Sequence, residues 1–551
     1  MSTWVRDNPG KAGSMTHNLE PVILATDLGT SSMKVALITI HGRVLAWESE
    51  SIQLYLTPDG GVEQSPQEWW QAFLVCCKRL FAQNLVQTSS IIAICCSTQG
   101  EGTIPVDREG NPLMNCVLWM DMRGQPDLIR QHKGLINIDG LSAINVLQWI
   151  RKTGGIPSVS GKDPASHMLL IRDHFPEVYA KTFKFLNVLD YLNLRLTGEF
   201  TATFDSILTS WVTDNRNPDN IRYDHDLVRA SGIEADKFPD IFPCTAVLGN
   251  LNAEAARDLG LSPTVKVVAG AIDNTAAAIG AGAVEDYLPN LYIGTSSWIT
   301  AHVPFKKTDI FSSMASLPCA VPGRYLLTAL QATAGGNLNF LRDKIIYNKD
   351  ELLQEAAVPD IFKYLDQIAA RVPAGANGVL YTPWIWGERA PVEEKSLRAG
   401  LYNLSLNNSR EDIIRAFLEG IALNTRWLMQ PVKRFLKRDV DIIHIVGGGA
   451  QSDVWCQIFA DVLNVCIKQV QDPVYANARG AAWIGAIGMQ EIRFTDITAL
   501  VKIKKEYFPL EKNRSIYDQK FGYFLKIYKQ MRVVYHDMNT NADEESNPNG
   551  K

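Results

Sequence analysis

Alternation of apolar and polar residues near the start of the chain predicts three consecutive strands. Apolar residues dominate 22–26 and 33–40, and a turn at 41–42 leads into a third strand over 43–50. Short runs of this kind, separated by turn residues, are typical of antiparallel strands. A continuous apolar run over 90–97 predicts a further strand that is buried on both faces.

A helix is predicted between the third strand and the buried one. Ser65 is suited to cap its first turn, Pro66 to open it, and Glu68 to complete a capping box. Its apolar residues recur at helical spacing, at Trp69, Phe73, Cys76 and Leu80. The first part of the chain therefore has the order strand, strand, strand, helix, strand.

A similar order returns later in the chain. We expect a strand over 265–269, a helix of small residues over 273–281, and a hairpin with arms at 290–294 and 297–303. Helices and strands then alternate, with helices predicted over 409–435, 452–463 and 475–488 and strands over 441–446 and 465–470. Because 551 residues are too many for one core, two large domains are expected.

One four-residue phrase links the two halves. Gly-Thr-Ser-Ser occurs at 29–32, after the first strand, and again at 294–297, between the arms of the second hairpin. A turn of this composition offers backbone N–H groups and hydroxyls, which suit phosphate oxygens. The repetition indicates a duplicated domain with a phosphate chain held between the two copies.

Composition narrows the class of protein. The chain is 46% hydrophobic and 21% charged, which is ordinary for a globular protein, and its net charge of −5 argues against a nucleic-acid partner. No uncharged apolar stretch reaches the length of a membrane span, so we expect no membrane insertion. None of the nine cysteines is spaced as Cys-x-x-Cys, and residues 1–20 lack the apolar segment of a signal peptide. A cytoplasmic protein with reduced thiols is expected.

Two aspartates stand where a strand meets a turn or a helix. Asp27, before the first Gly-Thr-Ser-Ser turn, is suited to hold a magnesium ion through water, although an Asx turn without a ligand would use the same residue. Asp273 opens the small-residue helix beside Asn274, where a carboxylate could accept a proton from a substrate hydroxyl. A helix cap is the alternative interpretation of Asp273.

A glycine-rich turn at 447–449 lies between a predicted strand and a helix that Ser452 could cap. It is neither a Rossmann fingerprint nor a P-loop, since Gly-x-Gly-x-x-Gly and Gly-Lys-Ser/Thr are absent here. His-Arg-Asp and Asp-Phe-Gly are also missing, which argues against a protein kinase.

Taken in order, these motifs resemble those of the FGGY carbohydrate kinases from about Pro21 to Asp537. The matching segments are 27–34, 97–102, 118–123, 190–199, 270–276, 387–391, 415–420 and 447–452. The resemblance implies an α/β fold of two ribonuclease H-like (actin-like ATPase) domains with a nucleotide and substrate cleft between them.

The resemblance also implies roles for individual residues. Asp273 would be the catalytic base, and Asp27 would hold Mg²⁺ through water. Sugar-side residues would be Gln99, Gly100, Glu101, Trp119, Asp121, Asp273 and Asn274. ATP would be bound by Gly29, Thr30, Ser31, Lys34, Gly294, Thr295, Ser296, Gly335, Gly448, Gly449, Ala450 and Ser452.

Four segments are expected along the chain. They are a flexible arm over 1–20, a sugar-side domain over 21–268, an ATP-side domain over 269–508, and a C-terminal helix with a disordered tail over 509–551. The helix carries aromatic residues at Tyr517, Phe521, Phe524 and Tyr528, which predict packing on the second domain.

The substrate that the resemblance favours is D-xylulose, converted to D-xylulose 5-phosphate. The sequence departs from xylulose kinases at Gly100-Glu101, where they carry Met-His, and at Met120, where Asn or Gln is usual. Ribulose, another ketose or a glycerol-like polyol remain alternatives, as do a non-kinase ATPase and a sugar sensor on the same fold. The oligomeric state stays open; a homodimer is one candidate, because dimers are frequent in the family.

Overall fold

The fold is known from a computed structural model that describes residues 20–347 and 361–545, with side chains to residue 539. The predicted N-terminal arm, apart from Glu20, lies outside the described residues. We number the strands of the two large sheets and the helices that pack on them.

Six strands form the first sheet in the order β5-β6-β4-β1-β2-β3. They are β1 (Val22–Leu28), β2 (Ser32–Thr39), β3 (Val44–Ser51), β4 (Ile91–Thr98), β5 (Val247–Asn250) and β6 (Lys266–Ile272). Strand β1 is antiparallel to β2 and parallel to β4, which is parallel to β6. The domain boundary expected at 268 falls inside β6.

Eight strands form the second sheet in the order β9-β10-β11-β8-β7-β12-β13-β14. They are β7 (Pro289–Ile293), β8 (Ser297–Val303), β9 (Thr308–Asp309), β10 (Met314–Pro318), β11 (Tyr325–Gln331), β12 (Ile442–Val446), β13 (Cys466–Val470) and β14 (Ile503–Tyr507). Strand β7 is antiparallel to β8 and parallel to β12, which is parallel to β13. The five central strands thus repeat the order and directions of the first sheet, which confirms the expected pair of ribonuclease H-like domains.

Nine helices within the described residues are numbered here. They are α1 (Pro66–Ala82), α2 (Val188–Thr197), α3 (Ala253–Leu259), α4 (Asp273–Gly280), α5 (Gly335–Phe340), α6 (Arg410–Leu436), α7 (Asp453–Leu463), α8 (Ala476–Gly488) and α9 (Glu511–Glu545). Smaller elements used below are the strands Val62–Gln64 and Cys116–Val117 and the helices Pro164–His174 and Phe362–Arg371.

Serine caps begin three of the helices, as expected from their hydroxyl acceptors. Ser65 accepts from the Glu68 backbone, Ser409 from the Asp412 backbone and Ser452 from the Trp455 backbone. The capping box predicted for α1 is not closed, because the Glu68 carboxylate accepts a hydrogen bond from the Tyr55 hydroxyl instead.

Two helices of small residues, α4 and α8, lie in the centre of the molecule. Alanines from both helices share one apolar cluster with Ile23 of the first sheet and Leu326 of the second. Their backbones approach so closely that a Cβ on Gly480 would lie 1.8 Å from the Ala276 carbonyl oxygen. The two halves of the chain are therefore joined through α4 and α8.

The outer faces carry the larger apolar cores. Helices α1, α2 and α3 cover the first sheet, and α6, α7 and α9 cover the second. The aromatic side chains of α9 pack on the second core, with Tyr517 and Phe524 fully buried, as predicted. The helix continues to Glu545, so the tail expected to be disordered after Asn539 is helical that far; residues 546–551 lie outside the described residues. Within 20–347 and 361–545, no helix is long and apolar enough to cross a bilayer.

Candidate active site

Asp27 is the last residue but one of β1, just before the first Gly-Thr-Ser-Ser turn, and is 4% exposed. Its Oδ2 lies 2.8 Å from Lys34 Nζ on β2, and its Oδ1 accepts from Asn477 Nδ2 of α8 at 3.2 Å. The carboxylate raises the pKa of Lys34 well above its ordinary value. Both oxygens of Asp27 are thus held by side chains, one of them from the other half of the chain, rather than by an Asx turn.

The turn itself is closed by backbone hydrogen bonds. Gly29 N donates to Ser32 O at 3.0 Å, and Ile52 N donates to Ser31 O at 3.0 Å. Gly29 and Thr30 are half-buried and Ser31 is exposed. The turn therefore has a fixed shape and an open side.

Asp273 is the first residue of α4, and the preceding residue, Ile272, stands at the cap position without a side-chain capping bond. The helix-cap interpretation of Asp273 is therefore wrong. Strand β6 contains a bulge shortly before Asp273, which changes the direction of the strand there. The bulge includes Gly270, which has a φ of +79° and whose Cβ, if present, would lie 2.1 Å from Cys96 O. Asp205 Oδ2 accepts from Ile272 N at 3.1 Å and fixes the backbone just before Asp273.

Burial, followed by the negative charges of Asp27, Glu101 and Asp205, raises the pKa of Asp273 to about 7, against a lowering contribution from the Asn274 backbone N–H. The carboxyl group is half-buried beside Asn274, whose side-chain oxygen accepts from Thr275 N. A carboxyl group with this pKa can exchange a proton near neutral pH.

The second Gly-Thr-Ser-Ser turn is joined to the start of α5. Ala334 N donates to Thr295 O at 2.8 Å, and Gly335 N donates to Gly294 O at 2.9 Å. A Cβ on Gly335 would lie 2.5 Å from Gly294 O, so this approach requires glycine. Within the turn, Gly294 N donates to Ser296 O at 2.9 Å. The structure thus brings Gly335 together with the turn.

The glycine-rich segment after β12 lies against the strand that leads into the second turn. A Cβ on Gly447, whose φ is +91°, would lie 2.5 Å from Ile293 O, and one on Gly449 would lie 2.4 Å from Ile293 Cγ2. Gly448 has open space around it, whereas Ala450 is fully buried. Of these predicted nucleotide contacts, Gly448 is the one whose surroundings are open.

Ser452 caps helix α7 and bonds to Asp366. Its Oγ accepts from Trp455 N at 2.9 Å as the cap of α7 and donates to Asp366 Oδ1 at 2.8 Å. Burial raises the pKa of Asp366 to about 6. Both bonding functions of the Ser452 hydroxyl are therefore in use.

Tyr292 connects the two turns. Its ring lies against the second turn, since a Cβ on Gly294 would be 2.6 Å from Tyr292 Cε1. Burial and the charges of Asp27 and Asp273 raise the pKa of its hydroxyl to about 12, against a lowering by the charge of Lys34. The charged groups beside the first turn therefore lie near the second turn.

Three predicted residues from the sugar side and the first turn are joined by hydrogen bonds. Thr30 Oγ1 donates to Gln99 Oε1 at 2.8 Å and accepts from Trp119 Nε1 at 3.2 Å. Gln99 N donates to Leu28 O at 2.7 Å, which ties the segment after β4 to the end of β1. The sugar-side segment and the first turn form one connected unit.

Glu101 interacts electrostatically with Asp273 and with two cations. Burial raises its pKa, whereas the positive charges of Arg389 and Lys162 lower it. Its backbone has a φ of +62°. The preceding residue, Gly100, lies against Ile272, with 3.5 Å between its constructed Cβ and Ile272 Cδ1. Gly100 and Glu101 therefore lie beside the start of α4, where Asp273 is located.

Asp121 is fully buried and fully bonded. Its carboxylate accepts from the guanidinium of Arg123, with Nη2 at 2.8 Å, and from Val62 N at 2.8 Å. The same guanidinium bonds to Glu63 Oε1 at 2.7 Å. Asp121 thus holds the 118–123 segment against the strand Val62–Gln64.

Sequence reasoning missed several residues that shape this site. Asn477 donates to the carboxylate of Asp27, and Asp205 accepts from the backbone N–H just before Asp273. Gln64 bonds to both Thr30 and Gln99. None of them stands in a glycine-rich or repeated motif, so the signal that found the turns could not find them. Their functions depend on contacts between segments that are distant along the chain.

Two family models match the chain. The FGGY family of carbohydrate kinases, N-terminal domain, matches residues 22–280, and the C-terminal domain of the same family matches residues 290–489. The chain belongs to the FGGY family of carbohydrate kinases. It is therefore a phosphotransferase, and both the predicted resemblance and the predicted enzyme class are confirmed.

Individual relatives of this FGGY kinase carry different substrate names. A xylulose kinase of Staphylococcus epidermidis is 28% identical over 525 residues, covering 95% of this chain and 99% of the relative. A gluconokinase of Bacillus licheniformis is 26% identical over 522 residues, covering 93% and 96%. The crystal structure of a gluconate kinase from Lactobacillus acidophilus has a TM-score of 0.80 at 23% identity, covering 94% of this chain and all of that one, which supports the fold.

Proposed function

We propose that this kinase transfers the γ-phosphoryl group of ATP to a hydroxyl of a sugar, with D-xylulose as first candidate and D-xylulose 5-phosphate as product. The observation that carries the proposal is the position of Asp273. Its charge interacts with Asp27 beside the first turn and with Glu101 on the sugar-side segment. A carboxylate between a phosphate site and an alcohol site is what a general base for phosphoryl transfer requires.

On the phosphate side, the two Gly-Thr-Ser-Ser turns would hold the triphosphate through backbone N–H groups. Lys34 supplies a positive charge next to the first turn, paired with Asp27 at 2.8 Å. Adenosine would lie over Gly448, which has room for a planar ring, with Gly449 and Ala450 fixing the turn beneath it.

The surroundings of Asp27 fit binding of Mg²⁺ through a water molecule rather than directly. Its own oxygens are engaged by Lys34 and Asn477, which disfavours direct coordination, while Asn477 Oδ1 is buried without a partner and could accept from a metal-bound water. Asp27 and Asp273 also repel each other, so a cation between them is favourable. When bound, Mg²⁺ would neutralise phosphate charge; the residues of this chain would position the base and the alcohol.

On the sugar side, Gln99, Glu101 and Trp119 would contact the substrate, with Asn274 next to the base. Because the Asp121 carboxylate is buried and bonded to Arg123, we propose that it acts by positioning Trp119 rather than by direct contact. Domain closure around α4 would exclude water, which otherwise competes with the sugar as acceptor.

One observation favours a second candidate, a sugar acid. Lys162 and Arg389 are half-buried near Glu101, and within the part of the chain that the structure describes neither side chain has a hydrogen-bond or ion-pair partner. Burial and the charges of Arg389 and Lys395 lower the pKa of Lys162. Two cations without such partners near Glu101 could bind a carboxylate, as in D-gluconate.

A screen of ADP release over ketoses, polyols and aldonates tests both candidates. We expect the highest kcat/KM with D-xylulose, and the sugar-acid candidate is favoured instead if D-gluconate exceeds it and Lys162→Met selectively raises the gluconate KM. Lys78→Met, at an exposed position of α1, is the matched control for the loss of one positive charge. ATP hydrolysis that no acceptor stimulates would contradict the proposal and favour an ATPase, and sugar binding without product would favour a sensor.

A further inference from the structure

Gln64 closes a ring of hydrogen bonds around the first turn. Its Nε2 donates to Thr30 O at 2.6 Å, and its Oε1 accepts from Gln99 Nε2 at 2.9 Å. Gln99 Oε1 in turn accepts from Thr30 Oγ1 at 2.8 Å. Thr30 is therefore held at both its backbone and its side chain by two amides that also bond to each other.

The position of Gln64 is itself rigid. It ends the strand Val62–Gln64, its side chain is fully buried, and its Oε1 also accepts from Trp69 Nε1 of α1 at 3.2 Å. Across this strand Gln64 pairs with Cys116, so the partner strand leads directly to Trp119. Trp119 completes the set by donating to Thr30 Oγ1 at 3.2 Å.

The direction of donation makes these contacts dependent on one another. The single proton of the Thr30 hydroxyl goes to Gln99, and a lone pair accepts from Trp119. A ligand that moves Gln99 or Trp119 must therefore change the bonding of Thr30, and a phosphate that moves Thr30 must change both side chains. Buried amides linked in this way have few alternative partners.

We propose that Gln64 is a positioning residue that couples occupancy of the sugar site to the geometry of the first phosphate turn. The inference rests on the proposed function, in which Gln99 and Trp119 contact the sugar and the turn contacts ATP. Because its side chain is fully buried, Gln64 would contact neither ligand. Its hydrogen bonds would instead make a shift of Gln99 at the sugar site change the position of Thr30 in the phosphate turn.

The test measures coupling between two ligands in the full-length protein. Isothermal titration gives the Kd of Mg²⁺ with a non-hydrolysable ATP analogue, alone and with saturating D-xylulose, and again with D-gluconate. In the wild type the better of these two acceptors should tighten nucleotide binding by about tenfold, which is usual for coupled sites. In Gln64→Met the coupling factor should fall to about 1 to 2, while each Kd measured alone changes by less than about threefold.

Gln83→Met is the matched control, because Gln83 is a half-buried glutamine at the end of α1 whose Nε2 bonds to Glu48, away from the ring. It should retain the full coupling factor. Gln64→Glu keeps the acceptor for Trp69 and Gln99 and, when ionised, loses the donor to Thr30 O, so coupling should be lost as pH rises above the pKa of the new carboxyl group. Unchanged coupling in Gln64→Met, or equal loss in Gln83→Met, would overturn the inference.

A second measurement does not depend on the acceptor. Hydrogen exchange of the free protein should be faster at 29–32 in Gln64→Met than in the wild type and unchanged at 294–297, and equal exchange at 29–32 would also overturn the inference. Failure of the proposed function has a different signature: the wild type would then transfer phosphate to none of the acceptors in the screen. If phosphate transfer is observed but Gln64→Met has the same coupling factor as the wild type, the proposed function stands and only the role of Gln64 is rejected.

Discussion

At the scale of single residues, the chemistry depends on how carboxyl groups are charged. Asp27 is held in contact with Lys34, whereas Asp273 has no such cation and its pKa is raised to about 7 by burial and neighbouring negative charge. Two carboxylates near one another can have different partners and therefore different tasks. This difference supports the proposal that Asp273 is the base, whereas Asp27 is engaged by Lys34.

Replacement of the base tests this division. Asp273→Asn keeps the size of the side chain but cannot accept the proton, so we expect kcat to fall by roughly 10²–10⁴ while nucleotide affinity changes little. Asp258→Asn, at an exposed position of α3, is the control and should behave as the wild type. Steady-state kinetics and nucleotide titration of both variants provide the measurement; a normal kcat in Asp273→Asn would reject the assignment.

The pH dependence of kcat/KM should report the same group. Asp273 must be deprotonated to accept a proton, so the rate should fall as pH drops through an apparent pKa of about 7. Glu101→Gln removes a negative charge that raises this pKa, and we therefore expect the midpoint to move to lower pH. The residual activity of Asp273→Asn, measured over the same range, should lack this limb. A midpoint that Glu101→Gln leaves in place would contradict the electrostatic account.

The sequence was enough to propose Asp273 as a base. It was not enough to predict the environment of that carboxyl group. Its place after a strand and before a helix follows from local periodicity. Its pKa depends on Asp27, Glu101 and Asp205, which are brought together by tertiary contacts that no local pattern encodes. The sequence likewise predicts that Asp121 contacts the sugar. It does not indicate that the Asp121 carboxylate is bonded to Arg123, even though the two residues are only two positions apart.

At the scale of elements, strand ends and helix starts could be predicted closely because caps and glycines mark them. Ser409 and Ser452 cap α6 and α7 as their side chains suggest, and the repeated turns fall between paired strands. The contact of Gly447 and Gly449 with Ile293 could not be predicted, since it depends on β7 and β12 being neighbours in the sheet.

The glycine-rich turn can be tested with two of its members. A Cβ on Gly448 meets no atom of the free protein within 4 Å, so we expect Gly448→Val to change the melting temperature little and to raise the KM for ATP by roughly tenfold or more if adenosine lies there. The sugar KM should stay within about twofold. A larger change in the sugar KM would place the nucleotide elsewhere.

Gly449→Ala is the contrasting variant. Its Cβ would lie 2.4 Å from Ile293 Cγ2 and 2.8 Å from Trp455 Cζ3, so it should lose about 1–3 kcal/mol of stability whether or not nucleotide is present. Thermal unfolding of the two variants separates a ligand contact from a packing contact.

At the scale of the whole molecule, the two sheets each carry a similar turn, and α4 and α8 connect the two halves. Helix α4 begins with Asp273 and α8 includes Asn477, which donates to Asp27. The helix pair that joins the two halves therefore also positions the charged groups. The duplication itself could be inferred from the repeated phrase, whereas this shared central layer could not, because small residues such as alanine are compatible with many packings.

The close contact between α4 and α8 should limit both stability and turnover. Gly480→Ala places a Cβ 1.8 Å from the Ala276 carbonyl oxygen, and backbone on backbone has little freedom to yield. We expect the melting temperature to fall by roughly 5 °C or more and kcat to fall with it, because separating the helices displaces Asp273 from Asp27. Gly522→Ala is the matched control: it lies in helix α9 with nothing within 4 Å, and alanine stabilises a helix by about 0.5–1 kcal/mol over glycine. Differential scanning calorimetry and kinetics on both variants test the argument, and a Gly480→Ala protein as stable and as active as the wild type would show that the two halves do not depend on this contact.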